Sequence, residues 1–344
     1  MRRQLNTLYV TTEGAWLHKD GENVVMEVER ETRARIPVHM LEGLVCLGRM
    51  AVSAQLLGFC AERGITISYL TPNGHFLARV EGPVSGNVLL RREQYRRSDH
   101  PQGCAAIVRN MLAGKIHNQR AVLARGWRDH GAKLADTSSF QHALKRLKRI
   151  PQRLLVETDV DRLRGLEGEA AQAYFDVFDQ LILSEASLLR FNSRTRRPPR
   201  DAVNALLSFL YTLLTHDCRS ALETVGLDPA VGFLHKDRPG RPSLALDLAE
   251  EFRPLLGERL ALSLINRRQL TEHDFQQFDN GAVLLKEDAR KTVLTAYQER
   301  KREPLQHLFL GEKVDIGLLP FLQAQLLARH LRGDLDAYPP FLWK

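Results

Sequence analysis

Apolar and polar residues alternate in short runs at the start of this chain and then recur every three to four positions. Thr7-Leu-Tyr-Val-Thr-Thr12, Ala15-Trp-Leu-His18 and Val24-Val-Met-Glu-Val28 are rich in β-branched and aromatic residues. Turn-prone Glu13-Gly14 and Lys19-Asp-Gly-Glu-Asn23 separate them, which predicts strands joined by turns. Ile65-Thr-Ile-Ser-Tyr-Leu70 and His75-Phe-Leu-Ala-Arg-Val80 flank Thr71-Pro-Asn-Gly74, a hairpin signal because Asn-Gly accepts positive φ. Ser53 to Arg63 reads as one amphipathic helix closed by Gly64. After Gly82-Pro-Val-Ser-Gly86 the pattern becomes helical and strand signals are rare. The expected class is α+β, with a small β-rich domain over 1–86 and a larger all-α domain over 87–344. The tail Ala337-Tyr-Pro-Pro-Phe-Leu-Trp-Lys344 is expected to run non-helically across the surface.

One helix carries an anomaly. Over about 163–183, Leu163, Leu166, Ala170, Ala173, Tyr174, Val177, Phe178 and Leu181 form a single apolar stripe at 100° per residue. Glu167 falls inside that stripe, whereas Glu169 falls off its edge. A carboxylate facing the interior is costly unless it is paired or binds a cation. A structural salt bridge to an arginine is the bland alternative.

Two further stretches bear candidate ligands. His235 ends Gly232-Phe-Leu-His235 and opens a Gly/Pro-rich basic loop before Asp247. Pro242-Ser243 punctuates the start of another helix, with Ser243 expected as its N-cap. On that helix Leu244, Leu248, Phe252 and Leu255 form the packing stripe. Asp247 and Glu250 are i, i+3 neighbours able to reach one site, and Glu251 lies near the middle of the stripe. Periodicity leaves Asp247, Glu250 and Glu251 all in play. Carboxylates with one imidazole suit Mg²⁺ or Mn²⁺ better than zinc. Such an ion polarises a phosphoryl oxygen, and no covalent nucleophile is evident.

Composition adds the expected partner class. The net charge is +8 in 344 residues, which favours a polyanion. Lys145, Arg146, Lys148, Arg149 and Arg153 precede the Glu167 helix; Arg190, Arg194, Arg196, Arg197 and Arg200 follow it. Lys236, Arg238 and Arg241 lie between His235 and Asp247. Beside acidic and imidazole groups, these cations read as phosphate contacts. Cys46, Cys60, Cys104 and Cys218 are scattered, which argues against a zinc cluster or disulfide framework and fits a cytoplasmic protein. No signal peptide is read at the N-terminus, and no apolar run approaches the roughly 18 residues of a membrane span.

Gly165-Leu-Glu-Gly168, Gly232-Phe-Leu-His235 and Ser243-Leu-Ala-Leu-Asp-Leu-Ala-Glu250 resemble the motifs of the CRISPR-associated adaptation endonuclease/integrase family. Arg196-Arg-Pro-Pro-Arg-Asp-Ala-Val-Asn-Ala-Leu-Leu-Ser208 is similar to a segment between that family's first two metal motifs. The match runs over essentially the whole chain. The resemblance implies a metal-dependent DNA endonuclease and integrase that inserts spacers into CRISPR arrays. A prespacer 3′-hydroxyl would attack a repeat-boundary phosphodiester. Residue by residue, it places the metal ligands on Glu167, His235 and Glu250, with Asp247 as an additional acidic position of the catalytic site. Many members carry Asp where this chain has Glu250. It also implies a homodimer with the β-rich domain as the dimerisation unit, a small ferredoxin-like adaptation partner, DNA as prespacer duplex and CRISPR repeat, and a type I system. Two competing readings are a general branched-DNA repair nuclease using the same site and a non-catalytic DNA-binding scaffold whose acids are structural pairs.

Overall fold

The computed structural model describes residues 7–41, 43–72, 76–80, 82 and 88–343. The chain divides into two compact units, Met1–Gly86 and Asn87–Lys344.

In the first unit, β1 (Thr7–Val10), β2 (Trp16–Asp20), β3 (Asn23–Val28), β4 (Glu31–Pro37), β5 (Gly43–Leu47), β6 (Ala51–Val52), β7 (Thr66–Leu70) and β8 (Phe76–Val80) form two sheets. One has the order β1-β5-β7-β8 and the other β4-β3-β2-β6. β5 is parallel to both neighbours, while β7 and β8 are antiparallel. The turn proposed at Asn73-Gly74 lies outside the described residues. Helix α1 (Ala54–Glu62) starts where Ser53 Oγ accepts the Leu56 N–H at 3.2 Å. It stops before Gly64, whose φ of +69° is cheap for glycine. Leu17, Leu44, Leu56, Phe59, Cys60 and Ile67 pack in one core.

The second unit is built on helices α2 (Val88–Asp99), α3 (Pro101–His130), α4 (Thr137–Val156), α5 (Val160–Phe175), α6 (Ala202–Thr224), α7 (Ser243–Ala249), α8 (Arg259–Asn266), α9 (Glu287–Arg302) and α10 (Leu319–Arg332). Thirty-residue α3 packs against α4 and α5 and supplies a long buried face. α4 turns Phe140, Ala143, Leu147, Ile150 and Leu154 inward, leaving Lys145, Lys148 and Arg149 exposed. The α+β class expected from the pattern is the one observed.

Four details differ from expectation. The helical unit also holds two small hairpins, β9 (Phe275–Gln277) with β10 (Val283–Leu285) and β11 (Pro304–His307) with β12 (Glu312–Asp315). Each turns through a glycine with positive φ, Gly281 and Gly311. The Glu167 helix ends at Phe175; a short 3₁₀ turn, Phe178–Leu181, keeps Phe178 and Leu181 buried. Ser243 is the first helical residue and not the cap, its hydroxyl lying 3.3 Å from the Lys236 carbonyl. After α7 the chain passes Glu250–Phe252 into a π-helical turn, Arg253–Glu258.

The tail is non-helical, as expected, but it is not on the surface. Tyr338 and Phe341 are buried, and Asn118 of α3 clamps the strap. Its Nδ2 donates to the Phe341 carbonyl at 3.0 Å and its Oδ1 accepts the Trp343 N–H at 2.8 Å. Aromatic side chains two or three residues apart supply the buried area that a polar-looking terminus would lack.

Candidate metal and nucleic-acid site

Glu167 projects from α5 toward Lys115 of α3. The Lys115 ammonium hydrogen-bonds Glu167 Oε1 and lies 2.7 Å from Glu250 Oε2. One cation thus bridges carboxylates that are 83 residues apart in the chain (250 − 167). Arg253 Nη1 approaches the other Glu250 oxygen at 2.5 Å. Burial pushes the Glu250 carboxyl up, but Arg253 and Lys115, aided by His235, hold it down at about 2. Burial also works against the Lys115 ammonium, and the two glutamates outweigh it, so its pKa lies above the ordinary lysine value.

His235 is set by Asp247. The Asp247 carboxylate is fully buried, and its Oδ2 accepts the N–H groups of Phe233 at 2.7 Å and Leu234 at 2.9 Å. Oδ1 accepts the His235 backbone N–H at 3.0 Å and lies 2.5 Å from His235 Nδ1. An ionised carboxylate can only accept, so Nδ1 donates to Asp247 and Nε2 is the ring nitrogen turned away from it. Cys104 Sγ donates to the Phe233 carbonyl and Arg164 Nε to the Leu234 carbonyl, each at 2.8 Å. Gly232 makes the turn possible: a Cβ there would lie 2.8 Å from both Asp247 Oδ2 and Ser243 Cβ. The signature Gly-Phe-Leu-His is therefore a tight loop wrapped on one carboxylate.

The three acids that periodicity could not separate have three different duties. Asp247 holds the His235 loop, Glu250 meets Lys115 and Arg253, and Glu251 faces the tail. Glu251 accepts from the Tyr338 hydroxyl at 2.7 Å, the Phe341 N–H at 2.6 Å and Gln323 Nε2 at 3.1 Å. Burial pushes its carboxyl up to about 8 against those donors. In no ion pair among the described residues, Glu251 is part of the scaffold that fixes the adjacent Glu250.

Of the expected ligands, Glu167 and Glu250 are brought onto one cation, and His235 lies near enough to Glu250 for its charge to act there. The three do not close into a ready-made cluster: among the described residues no group of three or more His, Cys, Asp or Glu side chains does so. The Lys115 ammonium stands between the carboxylates instead. The donor types suit a hard divalent ion: two carboxylates already drawn toward one positive charge, and an imidazole whose Nε2 has no hydrogen bond among the described residues. Asp247 has a different place, because both of its oxygens are engaged; it orients His235 from behind.

The basic residues sort into two groups. Arg196, Arg197 and Arg238 are exposed and surround Arg241, whose guanidinium is pulled below its usual range by burial and then by these neighbours, against Asp247. They form a cationic rim on the His235 side. Lys236 lies 3.5 Å from Asp161 with both groups exposed, an interaction of little energy. Arg194, expected as a phosphate contact, is turned inward. Its Nη1 donates to Asn204 Oδ1 at 2.6 Å and its guanidinium covers the Tyr211 ring. Arg200 donates to the Asn280 carbonyl at 2.7 Å. Arg146 and Arg153 face Glu169 at 3.9 and 2.6 Å, which gives that off-stripe acid a surface partner.

Lys115, Arg253, Arg164 and Cys104 were not singled out from the sequence. Lys115 had a usable signal: it interrupts the buried face of α3 between Leu112 and Ile116, as Glu167 interrupts that of α5. Among the described residues no helix is long and apolar enough to cross a membrane.

Known proteins share this sequence and fold. The family model described as "CRISPR associated protein Cas1" matches residues 8–299. CRISPR-associated endonuclease Cas1 2 of Rhodospirillum rubrum is 59% identical over 347 residues, covering all of both chains. A casposase bound to integration product shares the fold with a TM-score of 0.82 at 22% identity, over 98% of this chain and 94% of that one. A Cas6-RT-Cas1–Cas2 complex matches with a TM-score of 0.81 at 24% identity, over 100% of this chain and 36% of that one.

Proposed function

Because the chain belongs to the Cas1 family, we propose that it is a Mg²⁺- or Mn²⁺-dependent DNA endonuclease and integrase that inserts new spacers into CRISPR arrays. The observation that carries the reading is the convergence of Glu167 and Glu250 on a single cation, with His235 beside them. Glu167, Glu250 and His235 Nε2 would hold the divalent ion. When bound, that ion stabilises negative charge on the phosphoryl, attacking and leaving oxygens.

Each residue then has a task. Asp247 keeps the His235 proton on Nδ1 and fixes the ring. Arg253 anchors Glu250 from the buried side, so the carboxylate keeps one orientation. Arg196, Arg197, Arg238 and Arg241, one cationic rim on the His235 side, bind the phosphate backbone beside the scissile bond. A prespacer 3′-hydroxyl is the nucleophile, and the broken bond is a repeat-boundary phosphodiester.

The proposed assembly is a homodimer through the β-rich unit, acting with a small ferredoxin-like adaptation partner on prespacer duplex and CRISPR repeat in a type I system. A fold match to a Cas1–Cas2 complex supports such a partner. The test is an integration assay with a 3′-hydroxyl duplex and a repeat target, run with Mn²⁺ and with EDTA. Joined product should form with Mn²⁺ and disappear with EDTA. Cleavage of branched DNA without insertion at the repeat would favour a repair nuclease instead.

A further inference from the structure

Lys115 is the side chain in the site with no assigned duty. It is 4% exposed, and among the described residues its ammonium is the one group in ion pairs with both Glu167 and Glu250. Formal charge explains its presence. The two carboxylates carry −2, and Lys115 with Arg253 carries +2, so the four groups sum to zero. Buried Glu250 and half-buried Glu167 would repel without that ammonium, at a cost that grows as water is excluded. A divalent ion added with the ammonium still in place would leave an excess of +2 in the same small volume. The ammonium and the ion therefore compete for the same oxygens.

A second acceptor is close at hand. Glu258, buried on the π-helical turn, gives Oε1 to the Tyr211 hydroxyl at 2.6 Å. Its Oε2 is in no hydrogen bond of ordinary geometry among the described residues. Helix α3, which carries Lys115, packs directly against the π-helical turn that carries Glu258, and the two charges act on each other. An unbranched lysine stem with rotatable bonds can redirect its ammonium without moving α3.

We propose that Lys115 is the resident cation of the acid pair, holding Glu167 and Glu250 in place before metal binds and swinging to Glu258 when a divalent ion takes its position. This rests on the metal-site reading above and adds a switch to it. Metal affinity is then set by a competition within the chain. The net positive charge created by loading is offset when DNA phosphate arrives, so ion and DNA bind cooperatively.

Isothermal titration of the full chain with Mn²⁺, without DNA, tests the proposal. Wild type and the variants K115M, E258Q, K115M/E258Q and E250Q are compared. Removing the competitor should tighten Mn²⁺ binding in K115M by about tenfold, within the usual range of coupling between sites. E258Q should weaken it, because the displaced ammonium loses its acceptor, and should have no effect in the K115M background. Unchanged or weaker binding in K115M overturns the proposal, as does unchanged binding in E258Q should K115M fail to fold. E250Q separates the two ideas: if it binds Mn²⁺ as wild type does, the metal-site reading itself fails.

Discussion

Asp247 holds His235 by its ring and its backbone at once: Oδ1 is 2.5 Å from Nδ1 and 3.0 Å from the backbone nitrogen. Together with the two N–H groups on Oδ2, every contact to this carboxylate is a donor. An amide in its place must point its NH₂ at some of those donors. Asp247→Asn should therefore destabilise the protein by about 2–4 kcal/mol in urea unfolding. It should lower strand transfer by about 10–100-fold through the misplaced imidazole. Strand transfer at the wild-type rate would show that His235 needs no such support.

Gly165 and Gly168 bracket Glu167 inside α5, and a Cβ at either would meet nothing within 4 Å. Packing does not require these glycines, and each weakens the helix. Gly168→Ala should raise stability by about 0.5–1 kcal/mol. The bare backbone beside Glu167 suits close approach by a DNA strand, so the same variant should lose DNA-dependent strand transfer. Denaturation and integration assays on one preparation read the two effects, which should have opposite signs. Unchanged strand transfer would contradict the close approach.

Asn118 fastens the C-terminal strap to the site: Nδ2 donates to the carbonyls of Glu251 and Phe341, and Oδ1 accepts from Trp343. Asn118→Ala leaves these groups buried and unpaired, at about 2–4 kcal/mol of stability. Trp343 emission should shift to the red as the strap loosens. An unchanged spectrum and unfolding midpoint would contradict the clamp.

His307 gives a pH signature away from the acid site. Nε2 lies 3.1 Å from Gln323 Oε1, and Nδ1 accepts the Leu310 N–H at 3.3 Å. Burial lowers its pKa, with the Gln323 contact opposing. A second ring proton would have to displace the Leu310 N–H. With the folded pKa below an unfolded value of about 6.5, this contribution is intact above that pH and is lost as pH falls through the folded pKa. Stability measured from pH 7.5 downward should fall less steeply in His307→Asn than in wild type; parallel curves would contradict the assignment.

The alternating runs and the 3.6-residue periods made the α+β class legible, down to the helix that stops before Gly64. Strand β5 was not legible by alternation, because both of its faces are buried and Gly43-Leu-Val-Cys-Leu47 is continuously apolar-facing. Glu167 was marked by its stripe, and its partner proved to be a lysine from α3. Asp247, Glu250 and Glu251 are all buried, so helical period could not rank them. What separates them comes from residues 233–235, from Lys115 and Arg253, and from the tail. Arg194 shows the same limit: its inward turn depends on Asn204, placed by the start of α6.

The central claim is that one constellation carries the chemistry, and His235→Ala tests it most directly. Strand transfer of a 3′-hydroxyl duplex into a repeat target is measured with Mn²⁺, alongside duplex binding and thermal unfolding. Loss of a metal ligand that supports several kcal/mol of charge stabilisation should reduce joining by about 1,000-fold or more. Binding and fold should be retained. Joining at the wild-type rate by a folded, DNA-binding His235→Ala protein would contradict the account.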